Sequence, residues 1–467
     1  MALHKNYKLL VCFVIPLLIL ALPTSTIPLP ELTIIQHRII AIFVLAALLW
    51  IFEPVPVFAT SLLIITLELV LISNQGINAF VIDNGPVPMG ELIPYSHIFN
   101  AFSSPIIILF MGGFALAIAA SKFELDNNLA RVLLKPFGKR IPMIMLGIML
   151  ITAVFSMFMS NTATTVMMLA IVGPLIAAAP KSDLGMKGLI LAIPVAANTG
   201  GIGTPIGTPP NAIALQYIPE GQVTFASWMS FGIPFVVVQL AIAWFILCKF
   251  YPSKTGVLEL KLDGKFQRSP RAYIVYFTFA LTILLWLSTA WHGMNSYVVA
   301  IIPLAIFTLT GVISKEDLKL FNWDVLWLVA GGIAMGMALE ESGLASKIAT
   351  SIDFTALPTM AVIVVLSIIC VVMANFMSNT ATANLIMPIA AAVATSLSGL
   401  DGDGGITTLL VIVALSASLG MMLPVSTPPN ALAYSTGFIE TKDLIKVGGI
   451  IGGTGLALLY IAMMVLL

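Results

Sequence analysis

Charge is what this 467-residue sequence has least of: Asp, Glu, Lys and Arg together make up 9% of it. An ordinary soluble domain carries about 25%. A water-soluble fold of this length could not cover its surface with so few polar residues. Soluble enzymes, nucleic-acid binders and secreted domains are excluded at this first step. The 21 basic and 21 acidic residues cancel, so no bulk electrostatic partner is implied and nucleic acid is not expected as one. His4, His37, His97 and His292 are scattered outside the apolar centres, which predicts no metal cluster and no metal cofactor. Cys12, Cys248 and Cys370 lie inside apolar runs with no pairing or metal spacing, as core packing would have them. No Asn-x-Ser/Thr sequon occurs, as expected of a bacterial chain.

What is there is apolar: 59% of the residues, with a mean hydropathy of +1.07. That composition belongs to a polytopic membrane protein. Lys5 and Lys8, followed by an apolar run to Leu22, resemble a signal peptide, but no small-residue cleavage pattern follows. A first span is predicted instead. Eleven stretches are long enough to cross a bilayer: 8–27, 37–52, 57–74, 103–121, 187–217, 226–249, 272–291, 296–313, 322–341, 405–437 and 444–467. Two further apolar blocks, 142–180 and 358–398, are each about 40 residues long. Suppose the N-terminus is inside and each block returns to the side it came from. Nineteen of the 21 basic residues then fall inside, and only Arg38 and Lys347 fall outside. The C-terminus comes out on the outer face of the plasma membrane.

The chain also repeats itself. Met159-Ser160-Asn161-Thr162-Ala163-Thr164 recurs as Met377-Ser378-Asn379-Thr380-Ala381-Thr382, an offset of 218. Thr208-Pro209-Pro210-Asn211-Ala212 recurs as Thr427-Pro428-Pro429-Asn430-Ala431, an offset of 219. Gly112-Gly113 matches Gly331-Gly332 at the same 219. One such triplet alone would be read as a helix polar face; collinear matches mean two copies of one unit. Residues 1–36 stand outside the repeat, 37–250 form the first copy, 251–271 a cytoplasmic linker and 272–467 the second copy. Each copy holds five spans, an odd number, so the second enters from the opposite face and the repeats are inverted. Full crossings would put the two Ser-Asn-Thr triplets on opposite surfaces. Re-entrant hairpins would bring both tips to the midplane. The turns carry no charge in an otherwise apolar run, which favours hairpins. The expected fold is all-α: 11 transmembrane helices plus two re-entrant helical hairpins in two inverted-topology repeats.

The second motif breaks a span. Asn198–Asn211 reads NTGGIGTPIGTPPN, and Gly420–Asn430 reads GMMLPVSTPPN. Neither can stay helical. Non-helical backbone at membrane depth must be buried in protein or line a cavity. Helix N-termini exposed there suit carboxylate oxygens, and carbonyls and helix C-termini suit Na⁺. No Lys or Arg lies in these segments, so an anion would be held by neutral donors and balanced by cations. Glu68 is mid-span, and Glu53 and Glu340 lie near span ends. A structural or interfacial role is expected for all three, since none is near a broken helix.

Paired Ser-Asn-Thr triplets, each followed about 50 residues later by Thr-Pro-Pro-Asn, resemble the divalent anion/sodium symporter family. That family comprises dicarboxylate, citrate and sulfate transporters, and the resemblance covers nearly the whole chain. It implies a homodimer in the lipid bilayer. A scaffold of spans 1–4 and 7–9 would carry an elevator-like transport domain made of the hairpins with spans 5, 6, 10 and 11. It implies substrate contacts at Asn161, Thr162, Thr208, Asn379, Thr380 and Thr427. One Na⁺ site would use Ser156, Ser160, Asn161 and Gly207; the other would use Met377, Ser378, Asn379 and Ser426. Ser156 aligns with Ala374, so the second site lacks one hydroxyl.

The leading expectation is Na⁺-coupled symport of a C4-dicarboxylate such as succinate, fumarate or malate, with Na⁺ as coupling ion. The alternatives are a dicarboxylate exchanger and a Na⁺-coupled citrate or sulfate transporter. A proton-coupled antiporter would be expected to have an acidic residue at a broken helix. A channel would not need paired inverted hairpins. An intramembrane enzyme would need a nucleophile–base pair that this chain lacks.

Overall fold

The computed structural model describes residues 2–82, 86–178, 183–219, 221–253, 266–351, 358–396 and 405–466. Most of the linker expected at 251–271, the ends of both expected hairpins and the last residue of the eleventh expected span lie outside the described residues. Among the described residues the chain is helical throughout, with one isolated β-bridge between Ser73 and Ile93. Seven helices among the described residues are long and apolar enough to cross a membrane.

Several expected spans are shorter than their apolar runs. The first is helical over Ala2–Ala21 and stops two residues before Pro23, short of the expected residue 27. The helices at 57–74 and 296–313 cover only Val57–Leu71 and Ser296–Leu309. At 1.5 Å per residue, a 15-residue helix is about 22 Å long, less than a bilayer core of about 30 Å. Two short helices, Leu125–Leu134 and Leu344–Ser351, were not expected. They begin at the repeat offset of 219 from one another, and each precedes a hairpin block.

Each 40-residue block folds into two helices around its triplet: Ile141–Ser156 with Asn161–Ala178, and Thr359–Phe376 with Asn379–Ser396. The broken spans also divide. Leu184–Gly201 is followed by an irregular stretch and then Pro209–Tyr217; Gly405–Ser418 is followed by one and then Pro428–Ser435. The Pro-Pro pairs set where these half-helices start. A residue before proline is pushed out of the helical region, and Thr208 (φ −147°, ψ 142°) and Thr427 (φ −142°, ψ 146°) are both extended.

The copies exchange these half-helices. Pro209–Tyr217 packs on Asn379–Ser396 and Gly405–Ser418 of the second copy, and Pro428–Ser435 packs on Asn161–Ala178 and Leu184–Gly201 of the first. The glycine pairs explain their own recurrence. A Cβ on Gly112 would lie 2.2 Å from the Ala300 carbonyl oxygen, and one on Gly331 would lie 2.3 Å from the Ser61 Cβ. The first glycine of each pair thus lets Pro105–Lys122 meet Ser296–Leu309, and Trp323–Glu341 meet Val57–Leu71. The second glycine faces the other way, Gly113 toward Ile206 and Gly332 toward Asn384.

Polar links join segments that the threading assigns to one face. Lys8 donates to the Phe52 carbonyl, Lys122 pairs with Asp317 at 2.6 Å, and Lys187 pairs with Asp443 at 3.2 Å. At the opposite end Arg38 donates to the Leu71 and Phe80 carbonyls, Lys347 to the Glu31 carbonyl, and His97 meets Glu341 at 2.9 Å.

Candidate functional site

Both triplets and both unwound segments face one cavity of about 230 Å³. Its lining includes all six residues expected to contact substrate: Asn161, Thr162, Thr208, Asn379, Thr380 and Thr427. Ser160, Gly207, Ser378 and Ser426 line it too. Ser156 and Met377 do not; they are buried behind the tips.

Four helices begin at this cavity, at Asn161, Pro209, Asn379 and Pro428. At the tips, Ser160 Oγ accepts from the Ala163 N–H and Ser378 Oγ from the Ala381 N–H, both at 3.2 Å. Each serine caps its helix, which leaves the first-turn N–H groups of the Asn-Thr pair free for a ligand. At the other two starts, proline occupies the first two helical positions and supplies no N–H. There the threonine hydroxyl is the donor on offer. No Lys, Arg or His lines the cavity among the described residues.

The oxygens gather differently. Ser156 Oγ lies 2.5 Å from Asn161 Oδ1 and 2.7 Å from the Ala197 carbonyl, with one proton to share between two acceptors. A Cβ placed on Gly201 would lie 2.8 Å from Asn161 Oδ1 and 2.9 Å from the Gly207 carbonyl oxygen. Asn161 Oδ1, which Ser156 also meets, and the Gly207 carbonyl oxygen thus lie close together against Gly201, where any side chain would clash with both. Such an uncharged, oxygen-rich nest suits a hard monovalent cation.

In the second copy Asn379 Oδ1 is buried with no hydrogen-bond partner among the described residues. Ala374 stands where Ser156 would donate. Ser426 is committed elsewhere: its hydroxyl donates to the Asn375 carbonyl at 2.8 Å and accepts from the Leu423 N–H at 3.1 Å. One hydroxyl lone pair and the backbone carbonyl remain for a ligand. In the first copy Thr204 does the same work, donating to the Met157 carbonyl.

Three features were not assigned in advance. Asn211 and Asn430, the last residues of the Thr-Pro-Pro-Asn motifs, clamp the unwound backbone. Asn211 Nδ2 donates to the Gly201, Ile202 and Thr204 carbonyls, and Asn430 Nδ2 to those of Met421 and Leu423. Asn198 lines the cavity and bonds across to the second copy. Asp324 lines the cavity from the first turn of Trp323–Glu341, a carboxylate on the wall opposite the tips. Asn198 opens the glycine-rich run, which was its only signal; nothing local marked Asp324.

Of the glutamates, Glu68 is fully buried in Val57–Leu71, outside the cavity lining, and its carboxyl oxygens have no partner among the described residues. Glu53 ends Ile34–Phe52 in a left-handed conformation, with its carboxyl beside the Ser378 backbone N–H. Burial pushes this carboxyl above its ordinary range, while the Ser378 N–H and Lys8 pull it down.

Comparison with known proteins follows the same lines. The family model described as the sodium:sulfate symporter transmembrane region matches residues 3–467. The sodium-dependent dicarboxylate transporter SdcS of Staphylococcus aureus, from strain RF122 as from strain NCTC 8325, is 31% identical over 451 residues. The match covers 88% of this chain and 82% of that protein. Among solved structures, the YdaH transporter of Alcanivorax borkumensis aligns at a TM-score of 0.55, covering 79% of this chain and 87% of that one. MtrF of Neisseria gonorrhoeae aligns at 0.54, covering 87% and 93%. At 12% identity, these two show a shared fold alone.

Proposed function

The chain belongs to the sodium:sulfate symporter family, the divalent anion/sodium symporters, and on that premise we propose that it is a Na⁺-coupled dicarboxylate symporter. It would reside in the plasma membrane with its N-terminus cytoplasmic and its C-terminus outside. The observation that carries this reading is the convergence of four helix N-termini on one cavity that no basic side chain lines among the described residues. Partial positive charge at helix starts, free N–H groups and hydroxyls suit a small dianion. Two carboxylates match two tips. The substrate contacts would be Asn161, Thr162 and Thr208 for one carboxylate and Asn379, Thr380 and Thr427 for the other. A C4-dicarboxylate such as succinate, fumarate or malate fits a cavity of about 230 Å³.

Sodium would bind behind each tip. Ser156, Ser160, Asn161 and Gly207 form the first site; Met377, Ser378, Asn379 and Ser426 form the second. The cations neutralise the dianion and complete the tips, so binding of one favours binding of the other.

The motion follows from where the cavity lies. Its scaffold wall includes Val57, Asn322 and Asp324, at helix ends assigned to the cytoplasmic side. The second tip, which on this topology would enter from outside, brings the Ser378 backbone to Glu53 at that same side. Both placements support a transport domain in its lowered, inward position. An elevator movement past the glycine-paired helices of a dimeric scaffold would return it.

Purified protein in liposomes should take up labelled succinate only under an inward Na⁺ gradient. Uptake indifferent to Na⁺ would overturn the coupling. Asn161→Ala and Asn379→Ala should each abolish uptake without unfolding the protein; normal transport in both would remove the tips from the site.

A further inference from the structure

Asn198 sits near the end of Leu184–Gly201, only 2% exposed, and lines the cavity. Its Nδ2 donates to Thr427 Oγ1 at 3.1 Å and to Asn430 Oδ1 at 3.2 Å, both in the second copy. The orientation of this amide is forced. Asn430 Nδ2 is committed to the Met421 carbonyl at 2.8 Å and the Leu423 carbonyl at 3.0 Å. Its oxygen is therefore the atom that faces Asn198, and only a donor can meet it. Asn198 must turn its nitrogen to the second copy.

Thr427 is fixed as a result. Its Oγ1 accepts from Asn198 and also from the Asn430 backbone N–H at 3.3 Å. Both lone pairs are occupied. The hydroxyl proton is the one hydrogen-bonding capacity left, on a residue that lines the cavity. Thr427 is thereby made a dedicated donor. Thr208, its counterpart, makes no side-chain cap. It also has no cross-copy donor of this kind, because the residue corresponding to Asn198 is Ala417, which has no amide to reach across.

We propose that Asn198 is a positioning residue for substrate: it holds Thr427 as a donor aimed at one carboxylate of the dianion. This inference rests on the reading of the cavity as a dicarboxylate site. An acceptor hydroxyl at Thr427 would repel a carboxylate oxygen. A saturated one can only attract it.

Asn198→Ala, which makes the first copy match the second, should raise KM for succinate about tenfold. The maximal rate and the Na⁺ concentration for half-maximal uptake should stay near wild type. Thr427→Val should lose at least as much. In the Thr427→Val background, adding Asn198→Ala should change KM by less than about twofold, because the group it positions is gone. Thr427→Ser keeps the hydroxyl and should keep both the affinity and the sensitivity to Asn198→Ala. Should Asn198→Ala fail to fold, Asn198→Ser, too short to bridge to Thr427, should give the same KM shift. Succinate-induced thermal stabilisation in Na⁺ separates the two possible failures. A wild-type protein that succinate does not stabilise overturns the dicarboxylate reading. A stabilised wild type with additive effects at Asn198 and Thr427, or with an unchanged KM in Asn198→Ala, overturns the positioning role.

Discussion

The two hairpin tips share a sequence but not a chemistry. In the first, Asn161 Oδ1 has Ser156 Oγ 2.5 Å away, and the Gly207 carbonyl closes in on the same space. In the second, Ala374 leaves Asn379 Oδ1 buried and unpartnered among the described residues, and the Ser426 hydroxyl donates its proton to the Asn375 carbonyl. One tip is built before any ligand arrives. The other holds an acceptor that nothing in the protein satisfies, at the cost of a buried, desolvated amide. The first proposed cation site is thus preorganised, and the second needs its ion to be complete. Duplication supplied the backbone twice; side-chain drift then set the two sites apart.

The largest expected effect breaks this contrast at its glycines. Gly201→Ala would put a methyl group between Asn161 Oδ1 and the Gly207 carbonyl. It should abolish Na⁺-induced thermal stabilisation, a loss of about 2.7 kcal/mol at a hundredfold excess of Na⁺ over Kd. The repeat-related Gly420→Ala would instead strike Ala374, whose Cβ is 2.4 Å from the new carbon. It should lower stability by about 1–3 kcal/mol with or without Na⁺. Melting curves of both variants in Na⁺ and in K⁺ separate the outcomes.

The next effect swaps the tips. Ser156→Ala makes the first tip resemble the second and should weaken Na⁺ activation of uptake about tenfold. Ala374→Ser gives Asn379 Oδ1 a donor and should strengthen Na⁺ activation by a few-fold. Equal and opposite shifts would mean that this one position sets the difference. No shift in either would mean that the backbone carbonyls alone hold the ion. The smallest effect lies at Asp324, which has Pro105 as its counterpart in the first copy. Asp324→Asn should raise competition by the trivalent citrate against succinate by about two- to threefold, modest because the carboxylate is solvent-exposed.

Much of this site could be read in the chain because it is local. The identical hexamers and pentamers mark the tips and breaks, and Pro-Pro dictates where the half-helices start. The parity of spans and the one-sided basic residues point to an inverted plan. What escaped is what depends on distance in sequence. Asn198 meets Thr427 across 229 positions, a contact that no spacing rule encodes. Asp324 reaches the cavity from Trp323–Glu341, which carries neither motif. Leu125–Leu134 and Leu344–Ser351 are too short and too mixed in polarity to register as spans. The short Val57–Leu71 and Ser296–Leu309 were overestimated because apolar residues continue past the last helical turn.

A cavity that no basic side chain lines among the described residues has an electrical consequence. On the proposed elevator movement, a transport domain that brings no fixed charge across with its empty site would feel no force from the membrane potential on its return. Voltage would act only on the loaded step, and there only on the cargo. Two sodium ions with one dianion are electrically silent. Each further sodium would draw about 2.3 kcal/mol from a potential of 100 mV. The current per substrate would then count the ions beyond two.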